Sequence, residues 1–268
     1  MTTAGIHLSC AMFDAAIFDM DGVITQTAKV HAAAWKAVFD DFLQEYAEHS
    51  GEPFEPFDLD RDYRRHVNGK PRYEGVRDFL SSRAIELPYG KTDDAPDKRT
   101  ICGLGNRKNR RFREMLAEHG AEPYESTVIF IRKLKSACIA TAVISASRNC
   151  REVLRAAGVE DLFDVRVDGI DTQELGIRGK PEPDIFLAAA HKLGVSPERT
   201  VVVEDALAGV EAGRRGAFGL VIGVDRVGQA AQLARYADVV VQDLKEVKLE
   251  EGSALTMTDE LPSALDNM

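Results

Sequence analysis

At 268 residues, with 44% apolar and 29% charged side chains, the chain is long enough for one large core or two smaller ones. Its formal net charge of -10 argues against a nucleic-acid binder, whose affinity rests on clustered lysine and arginine. Cys10, Cys102, Cys138 and Cys150 lack the short spacings of a zinc site or disulfide framework, and no apolar run nears the roughly 20 residues that span a bilayer, so a cytoplasmic protein without a membrane partner is expected.

In chain order, residues 1–13 lack the basic start and long apolar stretch of a signal peptide and read as a short extension before the first strand. The apolar run 15–18 predicts that strand, and Asp19-Met20-Asp21-Gly22 ends it. Residues i and i+2 of a strand share a face, so Asp19 and Asp21 can point into one site before Gly22 turns the chain. Two acids so close repel unless a proton or cation separates them. A hard cation such as Mg2+ takes ligands of this kind, and Asp19 can then attack phosphorus while Asp21 moves a proton. A solvated acidic turn is the competing reading at this point.

Residues 32–122 show helical spacing (Trp35, Val38, Phe39, Phe42, Leu43), broken by loops rich in Pro, Gly and Asp. They predict a helical unit inserted into a second unit made of 1–31 and 123–268. From about residue 125 the chain alternates short apolar runs with amphipathic stretches, the pattern of a parallel sheet flanked by helices. The runs are 139–144, 200–203, 220–222 and 239–241, and their unbroken apolar character suits strands buried on both faces. Prolines at 181 and 183 open a helix that Gly194 closes. Beyond Asp243 the acidic chain, poor in large apolar residues, reads as a loosely held tail. The expected class is α/β, a doubly wound, mostly parallel Rossmann-like core with an inserted helical cap.

Three more chemical clusters each follow an apolar run, where open parallel sheets gather ligands. In Ser145-Ala146-Ser147-Arg148-Asn149, hydroxyls and backbone N–H groups can cradle phosphate or simply cap a helix. Lys180 is a lone cation ahead of a helix. Glu204-Asp205 ends a run so apolar that buried carboxylates there call for a counter-charge, though one of them can cap the helix that follows. Together the four strand ends hold a nucleophile, metal-binding acids, hydroxyl donors and a cation, an inventory for phosphoryl transfer.

The order and content of these clusters resemble the haloacid dehalogenase superfamily of phosphotransferases. Asp19-x-Asp21, Ser145, Lys180 and Glu204-Asp205 correspond to its four motifs. The resemblance implies an aspartyl-phosphate on Asp19, Mg2+ held by Asp19, the Asp21 carbonyl, Glu204 and Asp205, and a mobile cap. Within the superfamily the chain resembles the sugar-phosphate mutases. That resemblance implies that His31 and Trp35 face the site from the cap, and that Asn68-Gly69-Lys70-Pro71-Arg72 grips the remote end of a sugar phosphate. It also implies a distal phosphate site made by Arg72, Ser147, Arg148 and Asn149, with Gly69 and Lys70 binding substrate from the cap loop, Ala146 in the loop of Ser147, and Lys108 and Asn109 facing the site. The proximal phosphate lies at Asp19, Ser145 and Lys180. The reaction implied is interconversion of β-glucose 1-phosphate and glucose 6-phosphate through a 1,6-bisphosphate, by a monomer. A phosphatase acting on a small phosphoester is the alternative. The sequence departs from the mutase pattern at Gln26, in an added loop within 85–104, and at 124–127, where a Pro-Gly turn is absent.

Overall fold

The structure, a computed structural model, describes residues 6–9, 11–68 and 70–250. Strand β1 (Ile6–Ser9) precedes β2 (Ala15–Asp19), after which the chain enters helices α1 (Thr27–Ser50), α2 (Arg72–Ser82) and α3 (Ile101–His119). A π-helical segment, Leu59–Val67, lies between α1 and α2. Then follow α4 (Glu125–Ser136), β3 (Ala140–Ile144), α5 (Cys150–Ala156), β4 (Val165–Val167), α6 (Gly169–Leu175) and α7 (Asp184–Leu193). The chain finishes with β5 (Thr200–Glu204), α8 (Leu207–Arg215), β6 (Leu220–Val224), α9 (Ala230–Leu233), β7 (Val239–Val241) and β8 (Val247–Glu250).

Six strands form one parallel sheet in the order β4-β3-β2-β5-β6-β7. Alternate residues of β2 face opposite ways, as a period of two requires. Ala16 and Phe18 join Val143, Val201 and Val203 in one apolar cluster, while Ile17 joins Ala142, Ile144 and Val202 in another. Burial on both faces is why these strands read as continuous apolar runs. The strand order reverses at β2, whose neighbours are β3 on one side and β5 on the other. A crevice opens at such a switch point beyond the carboxyl ends of the strands. Asp19, Ser145 and Glu204 are brought there by the ends of β2, β3 and β5.

The helices between β2 and α4 bury a third cluster of their own, including Trp35, Phe39, Phe42, Phe57, Phe79 and Leu104. Helix α1 starts at Thr27, before the apolar periodicity begins, and stops at Gly51, whose φ of 77° closes the last turn on Ala47 O. Two chain passes join this unit to the sheet: Gln26 N–H donates to Glu122 O (2.9 Å) and Tyr124 N–H to Ile24 O (2.8 Å). The added loop is well tied. Asp94, nearly buried, accepts from Lys98 Nζ (2.8 Å), Thr100 Oγ1 (2.8 Å) and Lys91 N–H (3.1 Å).

Both chain ends differ from expectation. Ile6–Ser9 is a strand and pairs in parallel with Val247–Glu250. Leu8, Leu244 and Val247 are buried, so the chain is packed through residue 250. Each strand has only four residues, too few for an alternation to stand out beside the acidic residues around it. Residues 251–268 and Cys10 lie outside the described residues.

Candidate active site

The carboxylates of Asp19, Glu204 and Asp205 offer oxygens that all lie within 4.8 Å of one another. Lys180, ahead of α7, reaches between them. Its Nζ is 2.5 Å from Asp19 Oδ1, also donates to Glu204 Oε1, and lies 5.4 Å from the Phe186 ring centre. Glu204 is fully buried, and its other oxygen accepts the Ala206 N–H at 2.7 Å. Helix α8 passes so close that any Cβ at Gly209 would overlap the Glu204 carboxylate.

Burial pushes the Asp19 carboxyl up; Lys180 opposes this, Glu204 and Asp21 reinforce it, and the result is about 8. Burial works against the Lys180 charge, but Asp19 and Glu204 outweigh it and hold its pKa above the ordinary lysine value. Burial, then Glu204 and Asp19, lift the Asp205 carboxyl well above the usual range. No side-chain donor among the described residues bonds that carboxylate. It rests against Gly22, where φ is 89° and where a Cβ would strike it. Oxygen-rich, crowded and short of positive charge, the group fits a hard divalent cation. Removing Lys180 leaves Glu204 uncompensated. Lys180→Met is expected to lower unfolding free energy by roughly 3–5 kcal/mol, measured by urea titration at neutral pH without added metal.

Asp21 belongs to a second network. Thr27 Oγ1 donates to its carboxylate, and the Thr25 and Thr27 hydroxyls are 2.7 Å apart. His31 Nε2 lies 3.8 Å from Asp21 Oδ1, and His31 Nδ1 is 2.6 Å from Lys108 Nζ. The imidazole stacks on Phe112 at 4.0 Å. Burial, Lys108 and Arg72 hold the His31 pKa well below its ordinary value, so the ring is neutral. Lys108 then donates to Nδ1, which assigns the ring proton to Nε2, facing Asp21. Burial and Arg72 lower Lys108 to about 7 against the pull of Asp21, and its ammonium lies 5.0 Å from the ring centres of both Trp35 and Phe112. Burial lifts the Asp21 carboxyl, opposed by Thr27, Lys108 and Lys180.

The third group spans the cleft between the helical unit and the sheet. Arg72, the first residue of α2, donates from NH2 to Asn109 Oδ1 (2.8 Å) and from NH1 to Asn106 Oδ1 (3.4 Å). Asn149, from the loop after β3, donates to the same Asn109 oxygen at 2.7 Å. Its own N–H is held by Ser147 Oγ (3.1 Å), and the Ser147 N–H by Ser145 Oγ (3.0 Å). Burial lowers the Arg72 pKa and the charge of Arg148 adds to this, while Tyr73 opposes it. Ala146 and Arg148 are exposed on the same loop.

Three residues stand differently. Lys70 is exposed, pairs with Asp78 and donates to Arg65 O (3.3 Å), away from Arg72. Gly69 lies outside the described residues. Trp35 is nearly buried and stacks on Phe39 at 5.0 Å, so it serves the helical core as well as touching Lys108. Sequence reading missed Thr27 and Asn106. Thr27 was detectable in principle as a hydroxyl shortly after Asp21, whereas nothing local marked Asn106. An open groove of about 850 Å³ adjoins Asn109, lined by 92–96, α3 and Glu152, and includes none of Asp19, Asp21, Glu204 and Asp205.

The sequence matches the haloacid dehalogenase-like hydrolase family over residues 13–216. A beta-phosphoglucomutase of Mycobacterium bovis is 49% identical over 237 residues, 87% of this chain and 90% of that protein. A phosphorylated carbohydrates phosphatase of Thermotoga maritima is 30% identical over 211 residues, 79% of this chain and 85% of the relative. The crystal structure of a beta-phosphoglucomutase from Clostridium difficile superimposes with a TM-score of 0.69 at 26% identity, covering 88% of this chain and 94% of the other.

Proposed function

The chain belongs to the haloacid dehalogenase-like hydrolase family, and from that premise we propose that it is a Mg2+-dependent phosphomutase interconverting β-glucose 1-phosphate and glucose 6-phosphate. The observation that carries this reading over hydrolysis is the second anion grip. Arg72, Asn109 and Asn149 converge across the cleft, apart from the Asp19–Lys180–Glu204 group. A mutase must hold two phosphates at once; a phosphatase needs one. Arginine suits the remote phosphate because its planar fork gives two parallel bonds.

In this reading an aspartyl-phosphate on Asp19 gives its phosphoryl group to the free hydroxyl of the sugar monophosphate, the P–O bond to Asp19 breaking as the bond to the sugar oxygen forms, which yields the bisphosphate. The bisphosphate turns over and returns its other phosphate to Asp19. Asp21 takes the proton of the attacking sugar hydroxyl and gives one to the leaving oxygen. The Thr27 hydroxyl, which donates to Asp21, steadies that carboxylate between these steps, with His31, backed by Lys108, 3.8 Å away. Lys180 pairs with Asp19 and supplies positive charge to the transferring group. When bound by Asp19, Glu204, Asp205 and the Asp21 carbonyl, a magnesium ion offsets phosphate charge. Residues 32–122 act as a cap on the core formed by 1–31 and 123–268. The Gln26–Glu122 and Ile24–Tyr124 passes are its hinge, and closure excludes water from the aspartyl-phosphate. Ser145, Ala146, Ser147 and Arg148 line the phosphate path, and Trp35 borders the sugar. The enzyme works as a cytoplasmic monomer on a small-molecule sugar phosphate; its net charge of -10 argues against a nucleic-acid partner, and no helix among the described residues is long and apolar enough to cross a membrane.

The competing reading, a sugar-phosphate phosphatase, uses the same Asp19 and Asp21 with water as acceptor. To separate them, purified protein is given β-glucose 1-phosphate, Mg2+ and a trace of bisphosphate, and glucose 6-phosphate and inorganic phosphate are followed together. Glucose 6-phosphate is expected to form much faster than free phosphate. Dominant phosphate release would leave the phosphatase.

A further inference from the structure

The loop after β6 carries no motif, yet it grips the acidic site from two sides. Asp225 fixes its shape: the carboxylate accepts N–H bonds from Val227 (3.2 Å), Gln229 (2.8 Å) and Ala230 (3.1 Å). From this rigid base Arg226 Nε donates to Gly22 O at 2.9 Å, and Gln229 Nε2 donates to Asp205 O at 2.9 Å. Gly22 follows Asp21 directly, and the Asp205 carboxylate rests against Gly22. One loop therefore holds the backbones of both acid-bearing turns.

Arg226 also reaches the hinge. Its guanidinium lies 3.7 Å from the centre of the Tyr124 ring, and NH1 donates to Gln242 O at 3.3 Å. Tyr124 is the residue whose N–H closes on Ile24 O where the helical unit returns. NH2 is buried without a hydrogen-bond partner. A buried donor left unpaired costs free energy, as does ordering a long side chain. A surface-type arginine would not carry both costs. A planar, permanently charged fork can stack flat on a ring while donating to two carbonyls from its edge, and an ammonium cannot.

We propose that Arg226 is a positioning residue that fixes the Asp19–Gly22 turn relative to Asp205 and couples that spacing to the cap hinge. It touches neither phosphate nor sugar. The inference rests on Asp19 as the nucleophile but holds whether sugar or water accepts the phosphate. Misplacing reacting groups by about 1 Å costs about 10²-fold in rate, which sets the scale expected here.

The test is Mg2+-dependent hydrolysis of a small aryl phosphate by wild type, Arg226→Lys and Arg226→Ala, with Asp19→Asn as control. Expected are kcat losses of about 10-fold for Lys and about 100-fold for Ala, with KM within about threefold. Arg226→Lys should melt within about 3 °C of wild type. Guanidinium ion at tens of millimolar, on the order of a weak site's Kd, should raise the kcat of Arg226→Ala saturably, and methylammonium should not. Full kcat in Arg226→Lys overturns the proposal. So does a change in KM alone, or a loss in Arg226→Ala that follows thermal unfolding and ignores guanidinium. Wild-type-like activity of Asp19→Asn would instead strike at the nucleophile reading, independently of Arg226.

Discussion

Asp19→Asn is expected to abolish both isomerisation and phosphate release, by on the order of 10⁴-fold or more, because the variant lacks the carboxylate nucleophile on which both readings depend. The fold should survive. Asn keeps the shape and the Oδ1 acceptor for Lys180, and it removes one of several crowded acids beside Glu204 and Asp205. Urea titration should therefore show a protein about as stable as wild type, while rapid quench with labelled bisphosphate shows no acid-stable label transferred to protein. Retained turnover would mean that Asp19 only shapes the site and that another group attacks phosphorus.

Arg72→Ala is expected to separate two activities that Asp19→Asn removes together. Charge-assisted hydrogen bonds contribute about 1.5–3 kcal/mol, so isomerisation should fall roughly 10- to 150-fold. Hydrolysis of a small aryl phosphate, which has no second phosphate, should change by less than about threefold. The contrast is read as a ratio of two kcat/KM values on the same preparation, so loss of folded protein cancels. Equal losses would show that Arg72 supports packing, through its bonds to Asn106 and Asn109 and its contact with Tyr73, and not a remote phosphate.

The parts of this site that were legible in the sequence are those where chemistry and periodicity coincide. Asp19, Ser145 and Glu204 each end or follow an apolar run, and a run buried on both faces is hard to mistake. Strand β4 escaped notice because Val165-Arg166-Val167 is three residues long with a charge at its centre. The π-helical segment Leu59–Val67 carries Asp60, Arg61, Asp62, Arg64 and Arg65, which crowd a sparse apolar row of Leu59, Tyr63 and Val67. Lys70 looked like part of a phosphate loop because it neighbours Arg72. One residue of separation sufficed to put it on the outer face beside Asp78, at the entry to α2. The Asp225–Gln229 loop is invisible in a different way, since its contribution is made by side chains bonding to distant backbone carbonyls, and carbonyls leave no trace in composition.

The strand order bears on how the molecule can be assembled. β2 sits at the middle of the sheet, yet its neighbours β3 and β5 are supplied only after the helical segment has passed, and β1 finds its partner in β8. Contacts so distant along the chain must wait for loop closure, whereas the segment from α1 to α3 is continuous and has its own aromatic core. During synthesis that segment can collapse first, leaving the apolar strand that ends in Asp19 unpaired until β3 emerges and open on its other edge until β5, beyond residue 199, has left the ribosome. Asp19 is thus among the earliest residues made and among the last to acquire its surroundings.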